Sequence, residues 1–178
     1  MRNTRNSTVK ERNLTVPFFL CVFSKITTIY GNKKTTEGGS KMKKFQYIGA
    51  FLNREALYEK EEIKGREHLD RLIEAPHVTF QYLPEEVNEN LFGEPVCLKV
   101  TGYGKNEENE GLRVEIISEN PEIQKMAKSI PLPHITLSIS DTGKAVNTRF
   151  LEFSDVKPFF LKATFGGYAK DTKETTLC

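Results

Sequence analysis

Pro76-His77-Val78-Thr79-Phe80 recurs as Pro133-His134-Ile135-Thr136-Leu137, so two of the chain's three histidines lie in one frame of proline, histidine, aliphatic, threonine and apolar residue. A β-branched residue between polar neighbours, introduced by a proline, reads as the opening of a strand. Alternate side chains of a strand share a face, so His77 and Thr79 point together while Val78 points to the core, and His134, Thr136 and Ile135 repeat the arrangement. Continued alternation sets Ser138 and Ser140 on the face of His134, opposite Leu137 and Ile139. In the first copy it groups Gln81 with His77 and turns Phe80 and Tyr82 away. Each copy presents an imidazole beside a hydroxyl on a polar face fit to line a groove.

The remaining residues set the order of elements. Phe45–Leu52 reads as a strand, and Glu55–Ile73, with Leu57, Ile63, Leu69, Leu72 and Ile73 as its apolar face, predicts a helix loosened near Gly65. The strand carrying His77 ends near Pro84. Val96–Tyr103 and Leu112–Ile117 read as paired strands joined by a solvated polar loop over 104–111. Asn120 is positioned to cap a helix that has Pro121 first and runs to about Ser129. Beyond the His134 strand, a break at Asp141-Thr142-Gly143 leads to strands over Val146–Phe153 and Pro158–Tyr168 and then a polar tail; Gly166-Gly167 marks a bulge or close packing. The two halves form a pseudo-repeat, strand or hairpin, helix, connector and motif, and a duplicated unit can bring both histidines to one groove about a pseudo-twofold.

A chain of 178 residues suits one domain with a substantial core. Its 26 basic and 24 acidic residues leave a net charge of only +2, so no global field draws in nucleic acid or an anionic membrane, and any phosphate recognition has to be local. Cys21, Cys97 and Cys178 lack metal-ligand spacing and cannot all pair with one another, which points to a reducing, cytoplasmic setting. Residues 1–41 differ from the rest: basic positions Arg2, Arg5, Lys10 and Arg12 precede a short apolar run over 16–23 and a polar stretch. That run is too short to cross a bilayer, and no convincing small-residue cleavage site follows it. Residues 1–41 are therefore read as a disordered extension outside the core, with the folded domain over 42–178; a monomer that does not engage a membrane is expected.

Two imidazoles and two hydroxyls around one cavity suit a phosphate held between an acid and a base. At these residues the chain resembles the two-histidine (2H) phosphoesterase superfamily, whose paired His-x-Thr/Ser motifs are matched here by His77-Val78-Thr79 and His134-Ile135-Thr136 over roughly Lys43 to Tyr168. The resemblance implies an α+β, bilobal fold in which two pseudo-symmetric antiparallel sheets with flanking helices surround a central cleft. It further implies a metal-independent phosphoesterase that opens a cyclic phosphodiester, in a 2′,3′-cyclic nucleotide or an RNA cyclic-phosphate end, with no cofactor. Carried over by position, it makes His77 and His134 the acid and base and Thr79 and Thr136 the phosphate-binding hydroxyls. The residues leave open which histidine is which; family analogy favours His77 as base. Only 57 residues separate the histidines, short for the family, which leaves the second lobe and the substrate open.

Other readings compete. An RNA-binding module on the same fold would not need two titrating groups, and an RNA 2′-5′ ligase-like enzyme would work the same bond in reverse. Zinc pairings such as His-Glu-x-x-His or Cys-x-x-Cys are absent. His68, in a helical context, reads as a surface or interface residue. Tyr82, Tyr103, Phe165 and Tyr168 are candidates for base stacking but are expected mainly in the core, and Lys144 and Arg149, just beyond the second motif, can reach a phosphate or an RNA backbone but are expected mainly as solvated charge.

Overall fold

Among the described residues, aromatic and β-branched segments bounded by Asn, Asp, Pro and Gly build eight strands: β1 (Tyr47–Phe51), β2 (Arg71–Leu72), β3 (His77–Tyr82), β4 (Pro95–Lys105), β5 (Asn109–Ile117), β6 (His134–Ile139), β7 (Ser154–Ala169) and β8 (Glu174–Thr176). The structure, a computed structural model, describes residues 45–169 and 174–177; the extension expected over 1–41 lies outside them. Among the described residues two α-helices accompany the strands, α1 (Arg54–Tyr58) and α2 (Pro121–Lys128). The protein is thus α+β, with an antiparallel sheet and few helices. Among the described residues no helix is long and apolar enough to cross a membrane.

All the strands join one sheet in the order β2-β6-β5-β4-β7-β1-β3, with β8 added to β7. Two separate sheets were expected. A single sheet forms instead, because the 16 residues of β7 pair with β4 over Ser154 to Thr164 and with β1 over Thr164 to Tyr168. The motif strands β3 and β6 stand far apart in this order, yet the sheet curls until they approach each other. Ile48, Ala50, Val78, Leu98, Val100, Ile135, Leu137 and Phe165 form its buried apolar core, with Ile123 and Ala127 of α2 among them.

The motifs share their backbone pairing as well as their residues. Along β3 the register with β1 runs Phe51↔His77, Ala50↔Val78, Gly49↔Thr79, skips Phe80, and resumes at Ile48↔Gln81 and Tyr47↔Tyr82. Along β6 the register with β5 runs Arg113↔His134, Leu112↔Ile135, Gly111↔Thr136, skips Leu137, and resumes at Glu110↔Ser138. Each motif therefore carries a bulge at its fifth residue, and each threonine lies opposite a glycine. Both glycines are required by close approach: a Cβ on Gly49 would lie 2.2 Å from the Val78 carbonyl oxygen, and one on Gly111 2.7 Å from that of Ile135.

Several elements differ from expectation. The helix over Glu55–Ile73 is confined to Arg54–Tyr58, capped by Asn53. Turns follow as far as Gly65, whose φ of +78° interrupts any helix, and an irregular strap over 66–70 leads to β2 on the open edge of β6. Pairing with that edge outweighs the helical propensity of the strap. The strand expected over Val146–Phe153 is instead a 3-10 helix over Ala145–Phe150. The loop over 104–111 shrinks to a tight turn, because β4 and β5 continue to Lys105 and Asn109. In α2, Pro121 takes the first turn and Asn120 accepts from the Glu122 and Ile123 amides, as the residues imply. At Gly166 a Cβ would meet the Thr176 carbonyl at 2.4 Å, so this glycine marks close packing of β8.

Candidate active site

His77, Thr79, His134 and Thr136 line one cavity of about 570 Å³, together with Tyr47, Ile73, Tyr82, Val146 and Arg149. That volume lies within the roughly 300 to 1,000 Å³ usual for small-molecule sites. A hollow of about 690 Å³ elsewhere, near Gln81 and α2, holds Glu86, Glu122 and Lys125 but no imidazole.

Both rings are held the same way. His77 Nδ1 lies 2.7 Å from the Ala75 carbonyl oxygen, and His134 Nδ1 lies 2.9 Å from that of Leu132, in each case the residue two before. A carbonyl only accepts, so each Nδ1 carries the proton and the neutral ring keeps its lone pair on Nε2. Neither Nε2 has a hydrogen-bond partner among the described residues.

Burial is the main cause that pushes the pKa of both histidines below the ordinary value of 6.5, against the opposing pull of the carbonyl bonds. Repulsion from His134 lowers His77 further, and the Arg149 guanidinium does the same to His134. Both rings are accordingly biased to the neutral form.

The two sides of the cavity are not equivalent in their support. His77 is stacked on Tyr47, with ring centroids 4.5 Å apart, and Tyr47 is in turn stacked on Tyr168 at 5.0 Å. Burial, followed by Tyr168, pushes the Tyr47 hydroxyl up to about 12, so it remains a neutral donor at physiological pH. Thr136 donates to the Thr148 hydroxyl at 2.9 Å, whereas Thr79 has no side-chain hydrogen bond among the described residues.

Three sequence readings need correction here. Tyr82 lines the cavity because the bulge at Phe80 restores it to the His77 face, where it is 63% exposed. Arg149, exposed as expected of a solvated charge, also lines the cavity, carried there by the 3-10 helix. His68 is half-buried rather than free at the surface: its Nδ1 meets the fully buried Glu110 carboxylate at 2.8 Å. Glu110, assigned above to a solvated turn, also accepts from Tyr103 Oη at 3.0 Å and from Ser138 Oγ. Of the stacking candidates, Phe165 is core and Tyr103 belongs to this polar cluster, while Tyr168 backs Tyr47.

Tyr47 was missed by sequence reading, although its position two residues before Gly49 puts it on the face that meets Thr79. Among the described residues no group of three or more His, Cys, Asp or Glu side chains is gathered to hold a metal. In comparisons with known proteins, no protein-family model matches the chain and no curated protein is significantly similar to it.

Proposed function

We propose that the chain is a phosphoesterase of the two-histidine type that opens a cyclic phosphodiester, with a 2′,3′-cyclic nucleotide or a cyclic-phosphate RNA end as substrate. The observation that carries this reading is the matched pair of rings, each fixed through Nδ1 to a carbonyl and free at Nε2, beside a threonine hydroxyl in one cavity. Water attacks phosphorus in line; one Nε2 takes its proton, and the other, protonated, gives a proton to the ribose oxygen as that P–O bond breaks. The depressed pKa values suit the base, and the charge of the bound phosphodiester favours protonation of the second ring. Thr79 and Thr136 donate to the non-bridging oxygens, and Arg149 balances the charge that gathers there.

The lips of the cavity favour a nucleotide over a small ester. Tyr82 and Val146 leave ring and apolar surface open beside the phosphate position, fit for the flat face of a base. The equivalent registers of β1–β3 and β5–β6 support two pseudo-symmetric halves, β6-β5-β4 and β3-β1-β7, about the β4–β7 pair, as the family resemblance implies.

The test is incubation with 2′,3′-cyclic mononucleotides and with cyclic-ended RNA, followed by phosphorus NMR, with and without a strong chelator. Hydrolysis to a single monoester in both conditions is expected. Activity lost to EDTA and restored by zinc or manganese would replace the imidazole mechanism. Binding without product would favour an RNA-binding module, and joined strands a ligase-like enzyme.

A further inference from the structure

We propose that Thr148, oriented by Asn109, is a positioning residue that makes the Thr136 hydroxyl an enforced donor into the cleft; this rests on the phosphoesterase reading of that cleft. Asn109 is buried on β5, and its Nδ2 donates to the Lys144 carbonyl at 2.8 Å and to Thr148 Oγ at 3.1 Å. The amide cannot be turned over, because its oxygen would then face the Lys144 carbonyl. Thr148, itself fully buried, must therefore accept from Asn109, and its hydroxyl pairs with that of Thr136 at 2.9 Å. With the cleft empty, Thr136 gives its proton to Thr148, with a longer alternative at the Ala145 carbonyl, 3.3 Å away.

An anion in the cleft reverses the pair. Thr136 turns its proton to the phosphate oxygen, and Thr148 donates to the Thr136 oxygen in its place. The chain Asn109 N–H, Thr148 O–H, Thr136 O–H then runs in one direction toward the charge, and each link strengthens the next. Asn109 Oδ1 is left buried without a partner, as expected where an amide is held for what its nitrogen does. Thr79 has no such support, so the two motif threonines divide into one fixed donor and one adaptable donor.

Thr148→Val keeps the shape and removes the hydroxyl; Thr148→Ser restores it. On a 2′,3′-cyclic nucleotide the valine variant is expected to lose about tenfold in kcat/KM, and the serine variant to stay within about threefold of the parent. In a Thr136→Ala background, Thr148→Val is expected to add nothing further. Full activity in Thr148→Val, or an equal added loss in the Thr136→Ala background, overturns the inference. Should the valine variant not fold, as urea unfolding would reveal, Thr148→Ala takes its place. A second readout does not depend on turnover: inorganic phosphate titrated against the His134 ring resonances should bind more weakly to Thr148→Val than to the parent. If the parent turns over no cyclic nucleotide, the phosphoesterase reading fails alone; equal phosphate affinities, or no phosphate binding by the parent, sink the relay.

Discussion

Replacing His77 or His134 with Asn deletes Nε2 while leaving an amide able to keep the donation that Nδ1 makes to Ala75 or Leu132. Loss of an acid or base costs roughly 10² to 10⁴ in turnover, or about 2.7 to 5.4 kcal/mol of transition-state stabilisation at 1.36 kcal/mol per decade. Stability should divide the pair. His77 gives up ring contacts with Tyr47 at 4.5 Å and Phe51 at 5.4 Å, whereas His134 has no aromatic contact among the described residues. Stacked rings contribute about 0.5 to 1.5 kcal/mol beyond their area, so His77→Asn should lower unfolding free energy by about that much more than His134→Asn. Turnover of a 2′,3′-cyclic nucleotide across pH, beside urea unfolding, reads both effects. The parent kcat/KM should be bell-shaped with its optimum below 6.5, because both free-enzyme pKa values are depressed from there and one ring must be neutral while the other is protonated. Each variant loses one limb, and the double variant falls far short of the product of the two losses. Near-normal turnover in His77→Asn beside an inactive His134→Asn would refute the paired mechanism.

Thr79→Ala and Thr136→Ala remove neutral donors only, so kcat should fall by roughly 10 to 10³, less than for either histidine; a greater loss would mean that the threonines do more than bind phosphate. Arg149→Gln removes a cation that holds the His134 pKa down, so its NMR titration midpoint should move up, and an unchanged midpoint would separate Arg149 from the site. Folding is linked to the same groups: above about 6.5 both states hold neutral histidines, but as pH falls through that value toward the depressed native pKa values the unfolded chain binds protons first, so stability is lost. The loss between pH 7.5 and 5.5 in urea unfolding should shrink in the His77→Asn, His134→Asn double variant. Gly49→Ala should destabilise by about 1 to 3 kcal/mol because its Cβ would meet the Val78 carbonyl at 2.2 Å; a neutral change would mean that the strands can separate freely.

Local signals were legible in the sequence wherever local chemistry decides the structure. The Asn120 cap and Pro121 start fixed α2, and the Pro-His-aliphatic-Thr frames fixed two strands and the four residues they bring together. Signals failed where a distant partner decides. The strap over 66–70 carries helical residues, but Arg71 and Leu72 pair with Ile139 and Ser138 of β6, and that partner is nearly seventy positions away in the chain. Likewise Ala145–Phe150 has β-branched and aromatic residues at Val146, Thr148 and Phe150, yet Asn109 from β5 holds Lys144 and Thr148 in a tighter turn.

The two bulges explain the errors about the site's surroundings with one cause. Strict alternation carries Gln81 and Ser138 with the histidines and turns Tyr82 away. One extra residue at Phe80 and at Leu137 reverses every side chain beyond it. On β3 the reversal returns Tyr82 to the cavity and sends Gln81 to the hollow near α2. On β6 the same reversal drives Ser138 out of reach of water. A buried hydroxyl needs partners, and Ser138 finds them in Glu110, directly opposite on β5, and in the Leu69 amide at 3.0 Å. Glu110, buried for that purpose, needs more donors, which His68 and Tyr103 supply. The third histidine thus owes its pairing with a buried carboxylate to the bulge that follows the second motif, and the strap that carries it is fastened beside the strand that presents His134 and Thr136.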